Sequence, residues 1–122
     1  MQSKEKEMKE NYQEALRRIE VVKRNGYTSL NLSYLGLSEI PKEVFELNRL
    51  EIFDFSGNQL MSLPHEIGQL SNLIKLDLGT NELTSLPHEI GQFSNLIKLD
   101  LSGNQLKSLL SEIGQLLSLI HI

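Results

Sequence analysis

Asp54, Asp77 and Asp100 recur at intervals of 23 residues, and Lys75 and Lys98 stand two residues before the second and third of them. Carboxylates held in a row can dock a basic partner or bind a divalent cation. On neighbouring strands about 4.8 Å apart, each adjacent pair would repel by on the order of 0.8 kcal/mol in water. The two lysines are near enough to offset part of that. The alternative reading is an ordinary residue of a repeated unit, tolerated because it is solvated. On that reading no metal is expected, and a share in partner binding stays open. The same period places Ser29, Ile52, Lys75 and Lys98 in one outward column and Asn31, Asp54, Asp77 and Asp100 in the next. A third column holds Ser33, Ser56, Gly79 and Ser102; beyond it lie Tyr34 and Thr80, and then Gln59, Glu82 and Gln105.

Two histidines repeat as well. His65 and His88 follow Pro64 and Pro87, with Glu66 and Glu89 beside them, and imidazole with carboxylate suits zinc. Ser111 interrupts the ladder in the next copy, so duplicated surface residues explain the pair better and no metal is expected. There is no nucleophile elbow, HExxH pair or GxxxxGK[ST] phosphate loop. No catalytic residue, cofactor or enzymatic activity is expected.

The elements that position these side chains come from the same repeat. Leu50, Leu73, Leu96 and Leu119 are each 23 residues apart, as are Asn58, Asn81 and Asn104, and Ile67, Ile90 and Ile113. A fixed period in the twenties indicates one supersecondary unit stacked on copies of itself. In LIKLDL, Leu76 and Leu78 point inward while Lys75 and Asp77 point out, the alternation of a strand. The turn that follows hides backbone donors and acceptors, and the asparagine column is expected to satisfy them. Leu35 stands at this position in the first copy. The return leg LPHEIGQL is too punctuated by proline and glycine for a long helix and predicts extended or 3₁₀ turns.

Upstream, Tyr12, Ala15, Leu16, Ile19 and Val22, with Met8 a turn earlier, form an apolar stripe at helical spacing. Basic residues crowd its C-terminal half and Asn25-Gly26 ends it. The expected organisation is a frayed or weakly helical charged leader over 1–9, then a capping helix over 10–26. Four 23-residue repeats follow over 27–118, with Tyr27 taking the first leucine position, and an incomplete fifth runs over 119–122.

The pattern Leu73, Leu76, Leu78, Asn81, Leu83 followed by LPHEIG resembles the 23-residue class of intracellular leucine-rich repeats, over Tyr27 to Ile122. The near-duplicates at 62–78 and 85–101 look most like small, regular repeat proteins of bacteria. The leader is similar to the helix opening the repeat domain of bacterial Roco-type proteins. The resemblance implies an α/β repeat solenoid: a right-handed arc with short parallel strands on the concave face and an N-terminal capping helix. It also implies a non-enzymatic protein–protein interaction module that holds its partner on the concave strands. The residues that would do so are Ile52, Asp54, Lys75, Asp77, Lys98 and Asp100, with Gln59, Glu82 and Gln105.

A net charge of -4 supplies no field to recruit nucleic acid or anionic membrane. Without cysteine there is no disulfide, and with neither an apolar leader nor a run near 18 apolar residues a cytoplasmic protein is expected. The chain grows more apolar as it finishes. Leu110, Leu117, Leu119, Ile120 and Ile122 would leave an uncapped end able to pair with a second copy. A self-associating end-to-end homodimer or truncated remnant is therefore the alternative function, and a regulatory arm for a separate GTPase is a further one.

Overall fold

One inward apolar side chain between two outward residues marks each of the first four strands. A computed structural model describes residues 2–107 and 120–121. Its strands are β1 (Ser29–Asn31), β2 (Ile52–Asp54), β3 (Lys75–Asp77), β4 (Lys98–Asp100) and β5 (Ile120–His121). They form one parallel sheet in the order β1-β2-β3-β4-β5. Leu30, Phe53, Leu76 and Leu99 lie side by side across the first four strands, all buried. Leu32, Phe55, Leu78 and Leu101 make a second buried row one step on. The outcome is an α/β repeat solenoid whose core is a stack of such rows.

Ladder bonds between coils continue past each strand. Leu32 N–H donates to Asp54 O at 2.8 Å, Phe55 N–H to Asp77 O at 2.9 Å and Leu78 N–H to Asp100 O at 2.9 Å. The chain then returns through 3₁₀ turns at Lys42–Glu46, His65–Gln69 and His88–Gln92. Pro41, Pro64 and Pro87 precede them, and each proline carbonyl accepts the first N–H of its turn, from Val44, Ile67 and Ile90. Proline suits the place because its fixed φ leads into the turn and its missing N–H is not needed there. Each turn buries one aliphatic residue: Val44, Ile67 or Ile90.

The last pairing departs from the period. Leu99 lies opposite Ile120 and Asp100 opposite His121, whereas an offset of 23 would put Ile122 beside Leu99. The shift of two keeps the pleat in phase, since only an odd slip exchanges the faces of a strand. Leu110, Leu117, Leu119 and Ile122, expected to form a self-association surface, lie outside the described residues, and for Ile120 only the strand placement is described.

Helix α1 (Gln2–Asn25) covers the first coil. It begins well before the expected Glu10, so residues 2–9 are helical turns, with Ser3 to Glu10 exposed. The stripe is also shorter than its spacing suggests. Ala15, Ile19 and Val22 are buried and Leu16 packs against them, but Tyr12 and Met8 remain exposed. Tyr27, expected in the core, is 56% exposed: no earlier coil supplies the row of leucines that buries Leu50, Leu73 and Leu96. The helix stops because Gly26 takes φ +66°, a left-handed turn that frees Tyr27 N–H to bond Val22 O at 3.1 Å. Arg18 joins helix to sheet, donating to Asn31 O at 3.0 Å and to Glu14 at 2.8 Å. Arg17 and Arg18 together hold the Glu14 carboxyl down to about 2. A depressed acid stabilises the folded state above its ordinary pKa and loses that effect as pH falls from there through the folded value, so this anchor weakens progressively in acid.

One residue at the same register position in each coil adopts the left-handed conformation, at Tyr34, Gly57, Thr80 and Gly103, and the first coil adds Gly36. Glycine does this freely, but for a β-branched threonine at φ +53° it is a strain of roughly 1–2 kcal/mol. Thr80→Gly should therefore stabilise the chain by about 0.5–1 kcal/mol after the added chain entropy of glycine is subtracted. Thermal unfolding would show a Tm rise of a few degrees, and a fall would mean the threonine side chain outweighs its backbone strain.

Candidate partner-binding face

The sheet register fixes which outward side chains meet. Ser29, Ile52, Lys75 and Lys98 run across the strands as one column, and Asn31, Asp54, Asp77 and Asp100 as the next. In the first, both lysines are exposed and Ile52 stays 41% exposed. Gln59, Glu82 and Gln105 are exposed just past the strands. Tyr34 is 72% exposed beside this face, its ring lying over Gly57 where any Cβ would collide with it.

The aspartates are not freely solvated consensus residues. Asp54, Asp77 and Asp100 are half-buried, and each turns an oxygen back on the chain. Asp54 Oδ1 accepts Ser56 N–H at 2.9 Å and Ser56 Oγ–H at 2.6 Å, and Asp100 does the same with Ser102. Asn31 makes the same pair of bonds with Ser33. This column is thus a row of Asx turns that ends each strand and bends the backbone away from it.

Asp77 differs. It has Gly79 N–H at 2.9 Å but no hydroxyl, because glycine replaces the serine. Burial pushes its carboxyl above the ordinary value; the Gly79 bond opposes this, and Asp54 and Asp100 on either side add to it. For an acid with a raised pKa, ionisation costs more in the folded state, so stability falls as pH rises from the unfolded pKa through the folded one. Asp77→Asn keeps the acceptor, as Asn31 demonstrates, and removes that cost. It should gain about 0.5–1 kcal/mol at neutral pH and low salt, with no gain below the ordinary carboxylate range. Urea titrations at both pH values test it; an equal effect at both would assign the change to something other than charge.

The asparagine column lies directly behind this face. Asn58 and Asn81 are buried and Asn104 half-buried. Asn58 Oδ1 accepts from Leu35 and Leu37 N–H, while its Nδ2 donates to Leu32 O at 2.9 Å and Phe55 O at 3.1 Å. Asn81 and Asn104 reach back to Phe55 O and Leu78 O in the same way. Each side chain bridges its own coil to the one before. Leu35 sits in the first coil, with none behind it, so its apolar side chain goes into the core.

The histidines stand apart from this face. His65 Nδ1 lies 3.5 Å from Glu66, and among the described residues no group of three or more metal-ligating side chains converges. Nor, among those residues, is any helix long and apolar enough to cross a membrane. The positive-φ column was the feature that reading residue types alone missed; its signal was Gly57 and Gly103 aligned with Tyr34 and Thr80.

Comparison with known proteins agrees with this geometry. The family description "Leucine-rich repeat region" matches residues 25–119. A solved leucine-rich repeat protein from Leptospira interrogans is 40% identical, with a TM-score of 0.65 over 76% of this chain. The chain spans only 30% of that protein's length. No curated protein matches it by sequence. The buried leucine rows, the bridging asparagines and the family match over 25–119 make this chain a member of the leucine-rich repeat family.

Proposed function

We propose that the chain is a non-enzymatic protein-interaction module that holds a partner protein against the outward columns of β1 to β4. Leucine-rich repeat proteins generally mediate protein–protein interaction, which supports the class of function. The observation that carries the location is Ile52, an aliphatic side chain left 41% exposed on the strand face between polar neighbours. Exposed Tyr34 supplies an aromatic anchor of the kind enriched at interface centres, with Lys75 and Lys98 along one side. Asp54, Asp77 and Asp100 form the adjacent column, and Gln59, Glu82 and Gln105 form the polar rim.

The turn-forming role of the aspartates decides how to test this. Reversing their charge would also break the Asx turns, so lost binding could reflect lost structure. Ile52→Asp combined with Lys75→Glu and Lys98→Glu leaves every turn intact. A partner recovered from cell extract and measured by calorimetry should bind this variant at least about tenfold more weakly, equivalent to 1.4 kcal/mol, while circular dichroism shows the fold retained and the added carboxylates lower the Tm slightly. Unchanged affinity would move the site off the strand face.

A further inference from the structure

The first coil differs from the later ones on its return side, at Phe45. Adding 23 leads to Gly68, and again to Gly91. Glycine at 68 allows a close approach. A Cβ there would lie 3.1 Å from Glu89 Cβ and 3.2 Å from its Cγ, so a side chain at 68 would press the turns His65–Gln69 and His88–Gln92 apart by a few tenths of an ångström. One coil earlier the equivalent pair is Phe45 and Glu66. A phenyl ring stands where the next coil has only the hydrogen of Gly68, too bulky for the first two turns to approach one another as closely.

What lies between them is an open groove of about 600 Å³, lined by Phe45 and Glu66 themselves. Its apolar walls are buried Ile40 and Leu60 with half-buried Phe45 and Pro64. Its charged lining is Glu39, Glu43, Glu46 and Glu66 against the one cation Lys42. Among the described residues Glu39, Glu43 and Glu46 have no ion-pair partner. Glu43 Oε1 is sealed from solvent and accepts no hydrogen bond. Glu39 and Glu46 are exposed at the groove and can take charge-assisted donors there.

We propose that this groove is a second docking surface, on the opposite side from the strands, for an extended basic segment of a partner protein. An arginine or lysine of that segment pairs with the carboxylates of Glu39, Glu43 and Glu46, and an apolar neighbour lies on Phe45 and Pro64. Charge complementarity selects this occupant: four carboxylates and one ammonium around an apolar floor fit a basic, part-apolar peptide and repel an acidic one.

The test uses a blocked peptide of alternating arginine and leucine, titrated into the ¹⁵N-labelled chain. Saturable amide shifts should appear within 39–46 and 60–69. Glu43→Gln with Glu46→Gln should weaken binding at least about tenfold. Glu5→Gln with Glu7→Gln, on the exposed start of α1, makes the same change in net charge and should leave affinity within about twofold. Circular dichroism confirms that both variants fold. The proposal is overturned by no saturable binding at about 1 mM, by equal weakening in both variants, or by shifts confined to the outward columns of β1 to β4. That last result would leave the strand-face reading standing, and loss of the strand-face partner would leave this one standing. A drop in mass by light scattering on Glu43→Gln, without peptide, would instead assign the groove to a second copy of the chain.

Discussion

Asn81→Ala should lower the unfolding free energy by about 3–4 kcal/mol, although it removes only a small polar side chain. Asn81 is 6% exposed and connects three buried groups on two coils. Its Oδ1 accepts Leu60 N–H at 3.0 Å; its Nδ2 donates to Phe55 O at 2.9 Å and Leu78 O at 3.1 Å. Alanine leaves the Leu60 donor without a partner, at about 1–3 kcal/mol, and strips one acceptor bond from each of two carbonyls. Asn81→Asp separates these contributions. One carboxylate oxygen can still take the Leu60 proton, but the other would face the two carbonyl oxygens and repel them. The aspartate variant should therefore be at least as unstable as alanine at neutral pH. It should recover part of the loss in acid, where a protonated carboxyl again donates. Urea unfolding at pH 7 and pH 4 measures both effects. A loss below about 1 kcal/mol for alanine would mean that the asparagine column is not what ties coil to coil.

How much of this was legible in the sequence follows from what repetition encodes. The parallel strands, the inward rows and the asparagine bridges all rest on residue type at a fixed offset, so aligning the copies exposed them. The rest depended on differences between neighbouring coils. Tyr27 aligns with Leu50, yet helix α1 rather than another coil precedes it, so alignment placed it in the core and geometry did not. Asp77 has the same type and spacing as Asp54, but one missing hydroxyl at Gly79 changes its chemistry. The solvated-consensus reading of that column failed because a period marks where a side chain points, not which backbone amide it reaches. Phe45 against Gly68 is the same lesson on the return side, where a single departure from the repeat opens a groove. The early start of α1 was hidden for another reason: Ser3 to Glu10 bury nothing, and apolar periodicity detects only helix that packs.

Phe53→Ala carries the largest expected cost of a core change, about 3–5 kcal/mol, because the ring is fully buried between Leu30 and Leu76 in its row. It also stands 5.8 Å from the ring of Phe55, tilted by 51°, a geometry that adds aromatic contact to the burial. Phe53→Leu should cost only about 1–1.5 kcal/mol, since leucine is what Leu30, Leu76 and Leu99 already place in this row. The spatial reach of the damage is the more revealing result. Each coil of a solenoid touches only its neighbours, so a cavity in the second coil should loosen the first to third coils before the fourth. Hydrogen exchange reads this directly. In Phe53→Ala, Leu32 N–H and Phe55 N–H should lose protection early, because their bonds to Asp54 O and Asp77 O flank the cavity. Gln105 N–H, bonded to Leu83 O in the later coils, should keep more of its protection. A uniform loss across all these amides would show that the stack unfolds as one cooperative body. The nearest-neighbour account of its stability would then be wrong, even with every strand in its observed register.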